Sequence, residues 1–217
     1  MLTAMSWVVS ASPESLVFEI LEPTGEASGE ISLPFRISDL DGARESVEFV
    51  ERITLPGDVD VVPSPRLLRL LSLAAAASYY KTCIPATISV PGGLTPTERG
   101  FLVEVLTGGL GEFAYRNDVP SALRPRIEAP VLPEPAVKAV GLPEPTRPLV
   151  AVGGGKDSIV TIESLRAMGL EPTLFSVNSY APITATAEAA HLPLVTARRR
   201  LDPTLFALND AGALNGH

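Results

Sequence analysis

The most constraining feature of this sequence is residues 149–158, Leu-Val-Ala-Val-Gly-Gly-Gly-Lys-Asp-Ser. Residues 149–152 are apolar and rich in β-branched side chains, which is typical of a buried strand. The three glycines allow a sharp turn whose amides have no side chain between them and a ligand. Apolar residues then recur at helical spacing over residues 158–168, and Gly169 suits a helix end. A strand, a glycine turn and a helix N-terminus together predict an α/β unit with a phosphate site.

Two common phosphate-binding patterns fit this stretch poorly. The Walker pattern requires Gly, four residues, then Gly-Lys-Ser/Thr. Here Gly155-Lys156 is followed by Asp157, and Val150 stands where the first glycine belongs. The dinucleotide fingerprint Gly-x-Gly-x-x-Gly would place its third glycine at Ser158. The stretch therefore indicates a different kind of phosphate loop.

The stretch is similar to the PP-loop of the ATP pyrophosphatase families, Ser-Gly-Gly-x-Asp-Ser. Four residues match this pattern: Gly154, Gly155, Asp157 and Ser158. Gly153 stands where the pattern has its first Ser, and Lys156 occupies the free position. The resemblance implies that all six bind ATP, whose diphosphate leaves while AMP is transferred. Lys156 adds positive charge and is a candidate catalytic residue, and Asp157 is a candidate ligand for Mg²⁺, which would neutralise the leaving pyrophosphate. The alternative is an ordinary strand–glycine–helix turn without a ligand.

Three further strings resemble one particular family, the UDP-N-acetylmuramoyl-L-alanyl-L-glutamate epimerases of peptidoglycan synthesis. They are residues 177–183 (Val-Asn-Ser-Tyr-Ala-Pro-Ile), 201–206 (Leu-Asp-Pro-Thr-Leu-Phe) and 212–217 (Gly-Ala-Leu-Asn-Gly-His). The resemblance is strongest over residues 149–217. Members of that family are longer, so we expect this sequence to correspond to their first part.

The family resemblance implies a substrate and a reaction. The substrate would be a UDP-linked muramoyl dipeptide ending in L-glutamate, and the product would end in D-glutamate. Attaching AMP to the glutamate carboxylate removes its charge and makes the neighbouring Cα proton more acidic. A base can then remove that proton, which returns on the other face before hydrolysis releases AMP. The sequence does not identify this base.

Several polar residues near the ends of predicted strands are candidate ligands. Arg198, Arg199 and Arg200 follow the third predicted strand of this region, where Arg198 and Arg199 could hold a substrate phosphate or carboxylate. A solvated charge run explains the same three residues equally well. By the PP-loop resemblance Asn178 would contact the adenosine. By the epimerase resemblance Asn215 would contact the substrate and His217 would be a substrate contact or a general acid/base.

Charge and cysteine content exclude some classes of function. The net charge is −8, and residues 1–60 hold twelve acidic and three basic residues, which disfavours binding to nucleic acid. The single cysteine, Cys83, permits no internal disulfide and suits a reducing compartment. We find no pattern typical of a signal peptide and no apolar stretch long enough for membrane insertion. The sequence thus predicts a cytoplasmic protein that acts on a small molecule.

Three regions are expected along the chain. Residues 1–118 predict an α+β domain, with strands at 7–10, 16–21, 31–37, 46–55 and 87–90 and helices capped by Ser64 and Thr95. Residues 119–148 predict a semi-rigid connector or a strap across a domain face, because their prolines exclude a regular helix or a central strand. Residues 149–217 predict an α/β parallel-sheet domain, and the PP-loop resemblance implies that it is of the adenine nucleotide alpha hydrolase-like type. Its strands would be 149–152, 173–177 and 194–196, and its helices 158–168 and 184–190.

The predicted parallel sheet is incomplete. Three strands are few, because parallel sheets need cover on both faces and protected edges. We therefore expect either a partner chain or a C-terminal part of the family to complete it. Two other functions stay open: another PP-loop adenylating enzyme, either a ligase or an amidotransferase, and a truncated, non-catalytic nucleotide-binding module.

Overall fold

The computed structural model of the protein describes residues 7–57, 63–136 and 147–214. Nine strands in these ranges belong to one mixed sheet. The strands are β1 (Leu16–Ile20), β2 (Thr24–Gly25), β3 (Glu30–Asp39), β4 (Val47–Thr54), β5 (Thr87–Ser89), β6 (Arg126–Glu128), β7 (Leu149–Ala151), β8 (Thr173–Val177) and β9 (Leu194–Arg200). The α-helices are α1 (Trp7–Ser10), α2 (Pro65–Tyr80), α3 (Pro96–Gly109), α4 (Gly111–Arg116), α5 (Lys156–Ala167), α6 (Ala181–Ala190) and α7 (Pro203–Asp210).

The strands lie in the order β6-β5-β1-β3-β4-β9-β8-β7, and β2 pairs with β3. Pairing is parallel at both ends of the sheet, through β6, β5 and β1 and again through β9, β8 and β7. In the middle, β1, β3, β4 and β9 pair antiparallel. The β4–β9 pairing places Arg52 opposite Arg200 and Thr54 opposite Arg198. The sheet therefore continues from the predicted α+β region into the predicted α/β region.

The larger core lies between α2 and one face of β1, β3 and β4. Alternate residues of these strands point into it, as expected for an antiparallel sheet with one covered face. Phe18, Phe35 and Phe49 are each at most 1% exposed. The ring of Tyr79 stacks on Phe35 at a centroid distance of 4.8 Å and lies 5.1 Å from Phe49. Burial of these rings fixes α2 on the sheet.

Both long helices of this region begin where the sequence predicts. The Ser64 hydroxyl accepts a hydrogen bond from the Leu67 amide, and Pro65 is the first residue of α2. At α3 the Thr95 hydroxyl accepts from the Glu98 amide, and the Glu98 carboxylate accepts from the Thr95 amide. The predicted caps at Ser64 and Thr95 are thus confirmed, and Glu98 completes a capping box with Thr95.

Glu98 also supplies a test of this helix start. Its side chain is buried, and its carboxylate accepts from Arg69 Nε at 2.9 Å. Burial opposes ionisation of Glu98, but the Thr95 amide and the Arg69 guanidinium outweigh burial and lower its pKa. We expect Glu98→Gln to lower the free energy of unfolding by about 1–2 kcal/mol at neutral pH, because charge-assisted hydrogen bonds are lost.

The effect of Glu98→Gln should depend on pH with a defined sign. Because folding lowers the pKa of Glu98, its charge stabilises the fold above the ordinary glutamate pKa and loses this effect as the pH falls through the lowered value. Urea denaturation should therefore show a smaller difference between variant and parent at about pH 3 than at about pH 7. An equal difference at both pH values would contradict this role of the charge.

The alternation β7-α5-β8-α6-β9 is the one predicted for the α/β region. Val150 and Leu174 pack with Ile162 of α5 and Ile183 of α6 in a second, smaller core. Leu149 points to the opposite face of the sheet and is 64% exposed, and Val177 on the same face is 50% exposed. Among the described residues, this parallel part of the sheet is therefore covered by helices on one face only.

The third strand of this region is longer than predicted. The expected strand, residues 194–196, continues to Arg200 because its second half pairs with β4. The prediction that the three arginines follow the strand is wrong, since all three lie within β9. Next, Asp202 caps α7 by accepting a hydrogen bond from the Thr204 amide, and Leu205 and Leu208 of α7 belong to the larger core.

The segment Trp7–Ser10 forms α1, so its prediction as a strand is wrong. Four mostly apolar residues are too few for periodicity to separate a helical turn from a strand. In the proline-rich connector, Pro120–Leu123 forms a 3₁₀ turn and β6 pairs with β5 at the edge of the sheet. This edge position agrees with the prediction that prolines exclude a central strand. Of the helices in the described ranges, none has the length and apolarity needed to cross a bilayer.

Candidate functional site

The glycine loop joins the end of β7 to the start of α5. Gly154 has φ +75°, and a Cβ there would lie 2.7 Å from the carbonyl carbon of Pro182 in α6. A Cβ added at Gly153 or Gly155 would have no other atom within 4 Å. The three glycines thus differ in role. Gly154 permits a left-handed turn and close packing on α6, whereas Gly153 and Gly155 border open space.

Two side chains fix the position of this loop. The Ser158 hydroxyl accepts a hydrogen bond from the Gly153 amide at 3.1 Å. The Tyr180 hydroxyl donates to the Gly153 carbonyl oxygen at 2.8 Å. The hydroxyl proton of Ser158 is still available to an acceptor such as a phosphate oxygen. Tyr180, the third residue after β8, thus makes a direct contact with the loop.

In the first turn of α5, the side chains of Lys156 and Asp157 face solvent. No side chain caps this helix. Helix N-termini carry amides without intrahelical acceptors, and their partial positive charge favours anions. The described residues contain no cluster of three or more metal-binding side chains. As a single exposed carboxylate, Asp157 could hold Mg²⁺ only together with phosphate oxygens and water, as is usual at nucleotide sites, and its metal binding stays a prediction.

Asn178 lies directly after β8, in a left-handed conformation with φ +55°. Its side-chain amide donates to the Arg199 carbonyl oxygen, and its side-chain oxygen accepts from the Arg199 amide, both at 2.9 Å. The side chain therefore extends the pairing of β8 with β9. The predicted contact between Asn178 and adenosine stays a prediction, and the structure adds a role for this residue in holding β9.

Arg199 forms the central ion pair between the two parts of the sheet. Its Nε and Nη2 donate to the two carboxylate oxygens of Glu51 in β4, at 2.6 and 3.0 Å, and Nη2 also reaches the Ser78 hydroxyl. Glu51 is fully buried. The hydrogen bonds to Glu51 raise the pKa of Arg199. Arg199 is thus committed to Glu51 in this structure, while its predicted contact with substrate stays untested.

The sequence analysis did not identify Glu51 as the partner of Arg199, although the alternation of β4 marks it as a buried charge. Val47, Phe49 and Ile53 are the inward residues of β4, and Glu51 occupies the inward position between them. A lone carboxylate at a core-facing position requires a cation, because an unpaired buried charge is very costly. That pattern predicts a buried ion pair, but it does not say which arginine supplies the positive charge.

Of the remaining histidines, the cysteine and the predicted substrate contacts, none adds a group to this site in the described residues. Asn215 and His217 lie outside the described residues. His191 ends α6 in a left-handed conformation and is exposed. Burial raises the pKa of the Cys83 thiol to about 12, which favours the protonated form and disfavours the reactive thiolate.

Comparison with known proteins gives consistent matches. The family model described as "MurL N-terminal domain" matches residues 11–217. A relative from Salinispora tropica, named UDP-N-acetyl-alpha-D-muramoyl-L-alanyl-L-glutamate epimerase, is 44% identical over 197 residues, which cover 88% of this chain and 42% of the relative. A protein of the same name from a Micromonospora species is 42% identical over 88% of this chain and 43% of its own length. Another from Xanthomonas oryzae pv. oryzae is 39% identical over 78% of this chain and 39% of its own length. No solved structure matches. The chain spans about two fifths of the length of these relatives.

Proposed function

Because the chain belongs to the MurL N-terminal domain family, we propose that it is the nucleotide-binding part of an ATP-dependent epimerase. The substrate is UDP-N-acetylmuramoyl-L-alanyl-L-glutamate, whose terminal glutamate is converted from the L to the D form. The relatives' names supply the reaction and the substrate. The use of ATP rests on the glycine loop between β7 and α5.

The observation that carries the nucleotide proposal is the open side of this loop. Gly153 and Gly155 border empty space at the carboxyl end of a parallel strand, where ligands of α/β sheets bind. The amides at the start of α5 and the ammonium group of Lys156 would bind the pyrophosphate that leaves from ATP. Asp157 would hold Mg²⁺, whose charge assists departure of the pyrophosphate. Packing of Gly154 on α6 keeps this arrangement fixed before the ligand arrives.

The proposed chemistry follows from the charge of the substrate. A free carboxylate resists loss of the Cα proton, because the product would carry two adjacent negative charges. An oxygen of the substrate carboxylate attacks the α-phosphorus of ATP, the α–β phosphoanhydride bond breaks, and pyrophosphate leaves. The carboxylate becomes the acyl group of a mixed anhydride with AMP and so loses its own negative charge. A base takes the Cα proton, a proton returns on the other face, and water then releases AMP. We propose His217 as a general acid/base and Asn215 as a substrate contact, on the basis of the family resemblance alone.

The parallel part of the sheet supports a requirement for a further polypeptide. Among the described residues β7 pairs only with β8, and its Leu149 is exposed. The relatives have more than half of their length outside the matched region. We propose that this remaining part pairs with β7, covers the face that carries Leu149 and Val177, and completes the active site.

The test mixes this chain with a polypeptide that covers the remaining part of the Salinispora tropica relative. The assay supplies ATP, Mg²⁺ and the UDP-linked L-glutamate dipeptide, and it measures D-glutamate, AMP and pyrophosphate. D-Glutamate together with AMP supports the epimerase. AMP formation only with another acceptor would indicate an adenylating ligase. Nucleotide binding without AMP would indicate a non-catalytic module.

Asp157 offers a sharper prediction in the same assay. Asp157→Asn should reduce AMP formation at least about tenfold, because the variant would lose a carboxylate ligand for Mg²⁺. Glu163→Gln is the matched control, since Glu163 is an exposed carboxylate on the same helix that pairs with Arg166. The control should change the rate by less than about twofold. Equal rates of AMP formation for Asp157→Asn and the parent would contradict the proposed role of this loop.

A further inference from the structure

The run of three arginines is divided between the two faces of the sheet. Successive residues of a strand point to opposite faces. Arg199 points toward Glu51 and the larger core. Arg198 and Arg200 therefore point to the other face, the one that also carries Arg52 of β4 and Thr196, and both are exposed. The three arginines are equivalent in the sequence, but in the strand Arg199 is held in an ion pair, whereas Arg198 and Arg200 are exposed on the other face.

Arg198 and Arg200 differ from the neighbouring arginines in their partners. Arg52, which lies opposite Arg200, is paired with Glu30 at 3.2 Å. Neither Arg198 nor Arg200 has an ion pair with any described residue. Their Cα atoms are two strand positions apart, about 6.6 Å. Two unpaired guanidinium groups at this spacing suit a ligand that carries more than one negative charge.

The two arginines line a depression beside the phosphate loop. The cavity has a volume of about 530 Å³, and its other lining residues are Asn178, Ser179, Thr196 and Arg199. Residues 178–180 separate this depression from the phosphate loop, because Asn178 is hydrogen-bonded to Arg199 and Tyr180 to Gly153. The same short segment thus positions both sites, which would place two ligands side by side.

We propose that Arg198 and Arg200 bind the diphosphate group of a nucleotide-linked ligand. Guanidinium groups form paired, charge-assisted hydrogen bonds with phosphate oxygens. Assignment of this diphosphate to the uridine diphosphate end of the substrate rests on the proposed function, in which the glycine loop binds the phosphates of ATP. The diphosphate would then anchor the substrate while its peptide end extends toward the reacting nucleotide.

The test measures binding to the 217-residue chain by calorimetry, with UDP in one arm and ATP in the other. The variants are Arg198→Gln and Arg200→Gln. Arg124→Gln is the matched control, because Arg124 is exposed and is without an ion pair in the described ranges. Each of the two variants should weaken UDP binding about tenfold. ATP binding in all variants, and UDP binding in the control, should change by less than about twofold.

The outcomes separate this proposal from the proposed function. UDP binding that depends on both arginines supports the site, whatever the result of the D-glutamate assay. A lack of D-glutamate in that assay would reject only the epimerase. UDP binding that is absent, or is unchanged in both variants, overturns the site. Loss of ATP binding with UDP binding retained also overturns it, because the arginines would then serve the ATP phosphates. Equal melting temperatures of the variants and the parent exclude misfolding as the cause of weaker binding.

Discussion

Arg199→Met should lower the free energy of unfolding by about 3 kcal/mol, because the variant leaves a buried carboxylate without its cation. Glu51 is fully buried and receives two hydrogen bonds from Arg199. The same arginine reaches Ser78 of α2, so its loss also weakens contact between β9 and that helix. The measurement is urea denaturation at neutral pH, followed by circular dichroism.

Two further variants make the Arg199 prediction specific. Arg198→Met removes the same charge from the same strand, but on the exposed face, and should change stability by less than about 0.5 kcal/mol. Glu51→Leu combined with Arg199→Met should be less destabilised than Arg199→Met alone, because no unpaired charge is left in the core. If the double variant were the less stable of the two, the cost would come from lost packing and not from the unpaired charge.

Gly154→Ala should destabilise the fold by about 2–3 kcal/mol, because the new methyl group meets backbone and the residue keeps a left-handed conformation. The added Cβ would lie 2.7 Å from the Pro182 carbonyl carbon and 2.9 Å from the Ile183 nitrogen, and φ is +75°. These atoms belong to the start of α6, so the substitution forces α6 away from the loop. Thermal unfolding followed by calorimetry measures the loss of stability.

Gly155→Ala is the matched control for Gly154. It has φ −99°, and its Cβ would meet no neighbouring atom. We expect a smaller loss of stability, of at most about 1 kcal/mol, since alanine is a weaker N-cap than glycine but meets no steric conflict here. ATP binding should nevertheless weaken, because the methyl group would enter the space proposed for phosphate. If Gly154→Ala and Gly155→Ala were equally stable, Gly154 would not have the packing role assigned to it.

Features that depend on residues close together in the chain can be predicted from the sequence. The capping box of Thr95 and Glu98 joins residues three positions apart, and the start of α2 follows from Ser64 and Pro65 in the same way. The turn from β7 into α5 follows from consecutive glycines. The short segment Trp7–Ser10 was mispredicted because four residues hold too little periodic information.

The sequence by itself determined where the glycine loop lies, how the helices begin and which strands and helices alternate, because backbone conformation, capping and amphipathic spacing act over a few residues. Only the tertiary structure decided that β9 pairs with β4, that Glu51 meets Arg199 and that Arg198 and Arg200 face the other way. Glu51 and Arg199 are 148 positions apart. Contacts at such separation depend on how the whole sheet closes, which no local pattern encodes.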